Sequence, residues 1–277
     1  MTASRDVGKL PDPALLGALL ALVQARRAGG LFVLGICGAQ GSGKSTLVAC
    51  LAEALANEGI AAATLSLDDL YLTRAARQRL AAEVHPLFAT RGVPGTHDVA
   101  LGLGTIAALG RGEPAPLPRF DKAADDRLPR ADWPQAPAGT QVLLLEGWCL
   151  GARPQDPAEL AAPVNALEAE ADAQGTWRRH ANAALAGDYQ TLFARIDALV
   201  LLAAPGFDVV ARWREQQEAE LRARAGAGAA GAMSQAEVLR FVRHYERLTR
   251  HVLTEMPGRA DLVARLGPDR EVLALER

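Results

Sequence analysis

The sequence predicts an α/β fold with a doubly wound, mainly parallel sheet and helices on both faces. Three observations predict it. Leu31 to Cys37 is a continuous apolar run, short enough for a strand buried on both faces. A helix pattern over 44–58 and a second apolar run, Ile60 to Leu67, follow it. Together they form a strand–helix–strand unit, which places its two strands in parallel. Two further apolar runs, Val142 to Leu145 and Ala198 to Leu202, recur between helix patterns.

The remaining elements follow in order. Residues 12–28 read as a leading helix, starting at Pro11-Asp12-Pro13 and ending before Gly29-Gly30. Its apolar run, Ala14 to Val23, is far short of the ~18 residues that cross a bilayer, and its flanks fit a helix better than a signal-peptide core. Gly59 is placed to cap the helix 44–58. Residues 73–83 and 98–109 read as helices, the second capped by Asp98. The stretch 110–140 is rich in Pro, Gly and charge, lacks periodicity, and reads as a long loop, either functional or disordered. Residues 176–194 and 207–224 read as helices, and 225–232 as a flexible Ala-Gly connector. Ser234 with Glu237 forms a capping box for a helix to about residue 254, whose charges read as a solvated face. Glu271 to Leu275 reads as an edge strand. The expectation is a single domain over 1–277, with its core at 30–265.

Composition narrows the function. Over 277 residues, 30 basic and 32 acidic side chains leave a net charge of −2, which argues against a nucleic-acid scaffold. Aromatic residues are 5%, too few for a stacking platform. Three cysteines, Cys37, Cys50 and Cys149, have no metal-ligand spacing and suit a reduced, cytoplasmic setting. Neither a membrane nor a nucleic-acid partner is expected.

Gly38-Ala39-Gln40-Gly41-Ser42-Gly43-Lys44-Ser45 matches the Walker A pattern between a strand and a helix, so a P-loop NTPase fold is expected. Residues Gly38 to Thr46 form the expected nucleotide site. Glycines let backbone N–H groups turn toward phosphate oxygens, and the helix start adds partial positive charge. Lys44 reaches the β/γ-phosphates, and the Ser45 hydroxyl can ligate Mg²⁺, so ATP and Mg²⁺ are the expected cofactors. No Asn-Lys-x-Asp reads guanine, and no Leu-Ser-Gly-Gly-Gln marks an ABC-type ATPase.

Parallel strands share their carboxyl edge with the loop, so Asp68 and Asp69 lie near the γ-phosphate by topology. One of them can accept the proton of an attacking hydroxyl, while the other caps a helix or holds metal through water. Glu146, at the end of the next strand, is a candidate to hold Mg²⁺ or contact the acceptor.

These motifs resemble the uridine kinase, phosphoribulokinase and pantothenate kinase branch of P-loop kinases. The residues that carry the resemblance are the glycine loop, Ser66-x-Asp68-x-x-Tyr71 and Leu145-Glu146-Gly147-Trp148. Leu67 to Leu72, Arg91 to Asp98, Pro118 to Lys122, Leu145 to Trp148 and Val164 to Glu168 make the chain similar to the D-glycerate 3-kinases of plants and fungi and their bacterial relatives, across roughly residues 30–265. The resemblance implies ATP-dependent phosphorylation of a small hydroxy acid, with glycerate giving 3-phosphoglycerate. By position in the motif it assigns Asp68 as the catalytic base. A nucleoside or pantothenate-type kinase, or a P-loop ATPase switch without a small acceptor, stays open on the residues alone.

An acid substrate needs cations, and a guanidinium fork suits a carboxylate best. Arg91, His97, Arg119, Lys122 and Arg127 lie in the loops before the third strand, with Arg119 the first choice because Pro116 and Pro118 stiffen its approach. Asp69, Tyr71 and Glu146 complete the expected acceptor pocket. Arg212 and Arg214 follow the fourth strand on a helix, where this branch carries a lid. Two residues apart, they do not share a face, and Arg212 is the one expected at the phosphate. Trp177 and Trp213 read as packing residues.

Overall fold

The computed structural model describes residues 11–225 and 235–277. The helices are α1 (Pro13–Arg26), α2 (Lys44–Asn57), α3 (Arg74–Glu83), α4 (Val99–Gly110), α5 (Ala166–Ala171), α6 (Thr176–Ala186), α7 (Asp188–Phe193), α8 (Phe207–Ala225) and α9 (Gln235–Glu255). The strands are β1 (Phe32–Gly38), β2 (Ala62–Ser66), the short β3 (Ala115–Pro116), β4 (Phe120–Asp121), β5 (Asp126–Arg127) and β6 (Gln135–Ala136), then β7 (Val142–Gly147), β8 (Ala198–Ala203), β9 (Leu262–Leu266) and β10 (Val272–Glu276). One six-stranded sheet runs β10-β9-β8-β1-β7-β2. All its pairs are parallel except β10 with β9.

The continuous apolar strands are explained by what covers them. Side chains alternate across a strand, and both faces of this sheet are packed. Leu34, Ile36, Leu144, Val200 and Leu202 meet α1, α2 and α8 on one face. Val33, Leu143, Leu145, Leu199 and Leu201 meet α4, α7 and α9 on the other. The sheet is doubly wound as expected, and β1 lies at its centre. The loop after β1 therefore sits between the ends of β7 and β8.

Several boundaries differ from the expectation. The strand expected at 60–67 stops at Ser66. Leu67–Leu70 form a 3₁₀ turn because the Ser66 hydroxyl accepts the Asp68 N–H at 3.2 Å. Residues 176–194 are two helices, because Gly187 leaves helical geometry at φ −92°, ψ −120°. The loop 110–140 carries two short ladders, β3 with β6 and β4 with β5. The strand β9 was not foreseen, since Arg265 interrupts its apolar run. The helix expected over 234–254 does not lie open to solvent along its charged face. Glu246 and Arg247 are buried, and Tyr245, Leu248 and Val252 join the core. The connector at 225–232, apart from Ala225, and the cap residue Ser234 lie outside the described residues.

The strap over 157–172 fastens α9. Glu168 is fully buried and accepts two hydrogen bonds from Arg247, at 2.8 and 2.6 Å. Asn165 caps α5 and donates to the Arg243 carbonyl at 2.9 Å. Among the described residues no helix is long and apolar enough to cross a membrane.

The end of β7 is packed tightly against the turn that carries Asp68. A Cβ on Gly147 would lie 2.7 Å from Leu67 Cβ, far inside normal contact. Gly147→Ala is expected to destabilise the fold by about 1–3 kcal/mol through overpacking. An unchanged urea midpoint would disprove this close packing.

Candidate active site

The glycine loop is built by its conformation. Gly41 and Gly43 adopt φ +77° and +89°, which suit glycine. A Cβ on Gly41 would also meet Trp213 Cβ at 2.7 Å. The Lys44 ammonium closes over the loop and donates to the Ala39 carbonyl at 3.1 Å. The Ser42 hydroxyl and the Gln40 amide oxygen are buried with no partner among the described residues. Buried polar groups are normally bonded, so an unpaired hydroxyl and amide oxygen in a glycine loop suit a ligand with hydrogen-bonding groups.

The carboxyl edge gathers the expected acids. Ser45 Oγ donates to Glu146 Oε1 at 3.2 Å, joining the start of α2 to the end of β7. This hydroxyl and carboxylate fit a magnesium ion, a hard cation bound by few protein oxygens alongside substrate phosphates. Asp68 accepts from Tyr71 Oη at 2.8 Å and from the Lys122 ammonium at 2.7 Å. Burial pushes its carboxyl up, but Lys122 outweighs this by charge and hydrogen bond, helped by Tyr71 and Lys44, and holds it at about 2. Asp68 is thus ionised at neutral pH. Asp69 behaves differently: burial raises its pKa, with the Asp68 charge adding to the rise. It accepts the Phe120 N–H at 3.1 Å and faces Arg119 at 3.3 Å.

A cavity of about 180 Å³ opens over this edge. Gln40, Gly41, Lys44, Ser45, Asp68 and Glu146 line one side. Arg91, Lys122, Tyr71 and Arg214 line the other, with Trp148, Phe241 and Tyr245 behind them. Nine of the expected site residues therefore line one space.

Four expectations need correction. Arg119 does not line this cavity. It is tied to Asp69 and to the Pro118 carbonyl at 2.7 Å, and lines an adjoining cavity of about 310 Å³ that Ser45, Asp68, Lys122 and Glu146 also line. His97 lies behind Tyr71, stacked on it at 4.6 Å, with Nδ1 2.6 Å from Tyr189 Oη. Burial lowers its pKa to about 4, so it is neutral and offers no cation to an acid. Arg212 is exposed and does not line the cavity that Arg214 lines. Arg127 is likewise structural, bonded to Asp98 and the Tyr71 carbonyl.

Three wall residues were missed. Trp148 directly follows Glu146-Gly147, a position the motif could have flagged. Its indole N–H donates to the Gly92 carbonyl at 3.0 Å. Phe241 and Tyr245 come from α9, about a hundred residues later in the chain, and no local signal marks them. Tyr245 Oη donates to the Arg91 carbonyl at 3.1 Å. Gly92, at φ +142°, leaves room for that tyrosine. Trp177 and Trp213 are buried packing residues, as expected.

The profile of the Phosphoribulokinase / Uridine kinase family matches residues 33–152. The chain is 38% identical over 233 residues to the uncharacterized kinase mug58 of Schizosaccharomyces pombe, covering 80% of this chain and 81% of that protein. It is 32% identical over 223 residues to the chloroplastic D-glycerate 3-kinase of Arabidopsis thaliana. That match covers 77% of this chain, and the chain spans only 46% of the plant protein. Among solved structures, a D-glycerate 3-kinase from Cryptococcus neoformans superposes with TM-score 0.80 at 25% identity, over 97% of this chain and 99% of that one. A possible uridine kinase from Bacillus stearothermophilus shares the fold, with TM-score 0.51 at 19% identity over 90% and 96%.

The ion pair across the cavity yields a pH prediction. Lys122→Ala removes the main charge that lowers Asp68 and leaves its burial in place. An opposite charge at this range lowers a carboxyl by about 1–3 units, so the Asp68 titration should move up by about that amount. NMR observation of the Asp68 carboxyl carbon across acid pH checks it. A titration that stays in place would show that Lys122 does not set the charge of Asp68.

Proposed function

We propose that this chain, which belongs to the phosphoribulokinase and uridine kinase family, phosphorylates D-glycerate on its 3-hydroxyl. It is an ATP-dependent phosphotransferase that uses an alcohol as acceptor. One observation carries the glycerate reading: two cations, Arg91 and Lys122, line the same small cavity as the ionised Asp68 and the glycine loop. At about 180 Å³, that cavity is below the roughly 300–1,000 Å³ of pockets for larger organic ligands, and suits a three-carbon acid. Similarity to D-glycerate 3-kinases over most of the chain supports the same substrate.

The residues divide the work. Loop amides and Lys44 hold the β- and γ-phosphates. Ser45 and Glu146 are the groups that would hold Mg²⁺, which when bound neutralises phosphate charge. Asp68 orients the acceptor hydroxyl and takes its proton as the new oxygen–phosphorus bond forms. The bond from the γ-phosphorus to the bridging oxygen breaks, and ADP leaves. Arg214 takes the place expected of Arg212, meeting charge on the transferring group. Arg91, with Lys122, receives the acceptor carboxylate; its guanidinium already pairs with Asp125 and lies 5.5 Å from the Phe120 ring centroid, which holds it in position.

Two outcomes test this reading. Asp68→Asn should keep ATP affinity and lose about 10²–10⁴-fold in kcat, since an amide cannot accept the proton. Near wild-type turnover in this variant would remove Asp68 as the base. Arg91→Ala should raise KM for glycerate by roughly 10–150-fold, the loss of a charged hydrogen bond, with KM for ATP unchanged. Arg119→Ala should do much less. If glycerate does not stimulate ADP release by the wild type, the substrate assignment fails and the kinase assignment stands.

A further inference from the structure

The tip of the β9–β10 hairpin reaches back to the glycine loop through Arg270. This residue adopts φ +66°, one of two described non-glycine residues with positive φ. Such a conformation costs energy in an arginine and persists only where the surroundings fix it. The surroundings are visible. Arg270 Nε donates to the Gly41 carbonyl, and Nη2 donates to Gln216 Oε1 at 3.1 Å. Its guanidinium carbon lies 5.1 Å from the centroid of the Trp213 ring. The Trp213 indole N–H in turn donates to the Pro268 carbonyl at 2.7 Å. Gly41, lacking a Cβ, is the space into which Trp213 packs. Three pieces thus meet at one guanidinium: the glycine loop, α8 and the last hairpin.

The effect on the loop is physical. Arg270 takes the Gly41 carbonyl, while the Ser42 N–H of the same peptide donates to the Ala39 carbonyl at 3.2 Å. That peptide is held from both sides. A carbonyl free to turn toward a triphosphate would repel it, so fixing this one keeps the loop set for an anion. The same contacts fix Trp213, the neighbour of Arg214 on α8.

We propose that Arg270 is a positioning residue for the nucleotide: it locks the central peptide of the glycine loop and couples it to α8, and so to Arg214. The proposal rests on the loop as the ATP site and holds whichever alcohol is the acceptor. The test is direct binding of ATP without acceptor, by calorimetry, to the full chain carrying Arg270→Gly or Arg270→Lys. Glycine accepts the positive φ and removes only the side chain. It should keep the melting temperature within a few degrees and weaken ATP by about tenfold or more, the loss of a charged hydrogen bond. Lysine can reach the Gly41 carbonyl but cannot stack as a plane on Trp213, so its affinity should fall between the two. In turnover, KM for ATP should rise in both variants, with KM for the acceptor unchanged. Wild-type ATP affinity in Arg270→Gly overturns the proposal. So does an equal rise in both KM values, or a lysine variant no better than glycine. A failure of glycerate as acceptor leaves this result untouched.

Discussion

Three carboxylates, Asp68, Asp69 and Glu146, end up at one edge of the sheet with a loop built to hold a triphosphate. That crowding of negative charge is the constraint on which the site depends. Each acid is answered separately. Asp68 has Lys122 and Tyr71, Asp69 has Arg119 and the Phe120 N–H, and Glu146 has the Ser45 hydroxyl. Two of the answering cations, and the Phe120 amide, come from the stretch 110–140. Its short ladders and proline turns make physical sense as a frame for those cations. Without Lys122 and Arg119, burial alone would push both aspartates toward the neutral form.

Asp68 and Asp69 are adjacent in sequence yet shifted in opposite directions. Environment separates them: Asp68 has an ammonium in direct contact at 2.7 Å, while the guanidinium facing Asp69 stands back at 3.3 Å. The ionised acid is the one that lines the cavity above the glycine loop together with Lys44 and Arg91. A pair of acids whose pKa values are pushed apart is the usual arrangement of an acid–base site.

The aromatic side of the cavity is held from a distance. Tyr245 and Phe241 ride on α9, and α9 is fastened by the buried pair Glu168–Arg247 and by Asn165. A buried ion pair contributes little net stability, but losing one partner is costly. Its evident consequence here is geometric: it fixes where α9 sits, hence where Tyr245 meets the Arg91 carbonyl. The segment Val164 to Glu168 thereby acts on the site without entering it.

The sequence by itself determined the central sheet, the glycine loop and the carboxylates. Apolar runs such as Leu31 to Cys37 are local signals, and a parallel sheet puts every strand end on one edge. Lys44, Ser45, Glu146 and the pair Asp68 and Asp69 were therefore legible from spacing and topology, and the family resemblance singled out Asp68 within the pair. The tertiary structure alone decided which cation meets which acid. Arg119, Arg91 and Lys122 lie within about thirty residues of one another, and nothing local says that the first turns to Asp69 while the others face the cavity. His97 reads as a loop cation, but Tyr71 and Tyr189 cover it. Arg212 and Arg214 differ only in the helix face that packs against the sheet, which depends on Trp213 seating beside Gly41. Phe241, Tyr245 and Arg270 were illegible for the same reason. They reach the site across more than a hundred residues of chain, and long-range packing, not local propensity, brings them there.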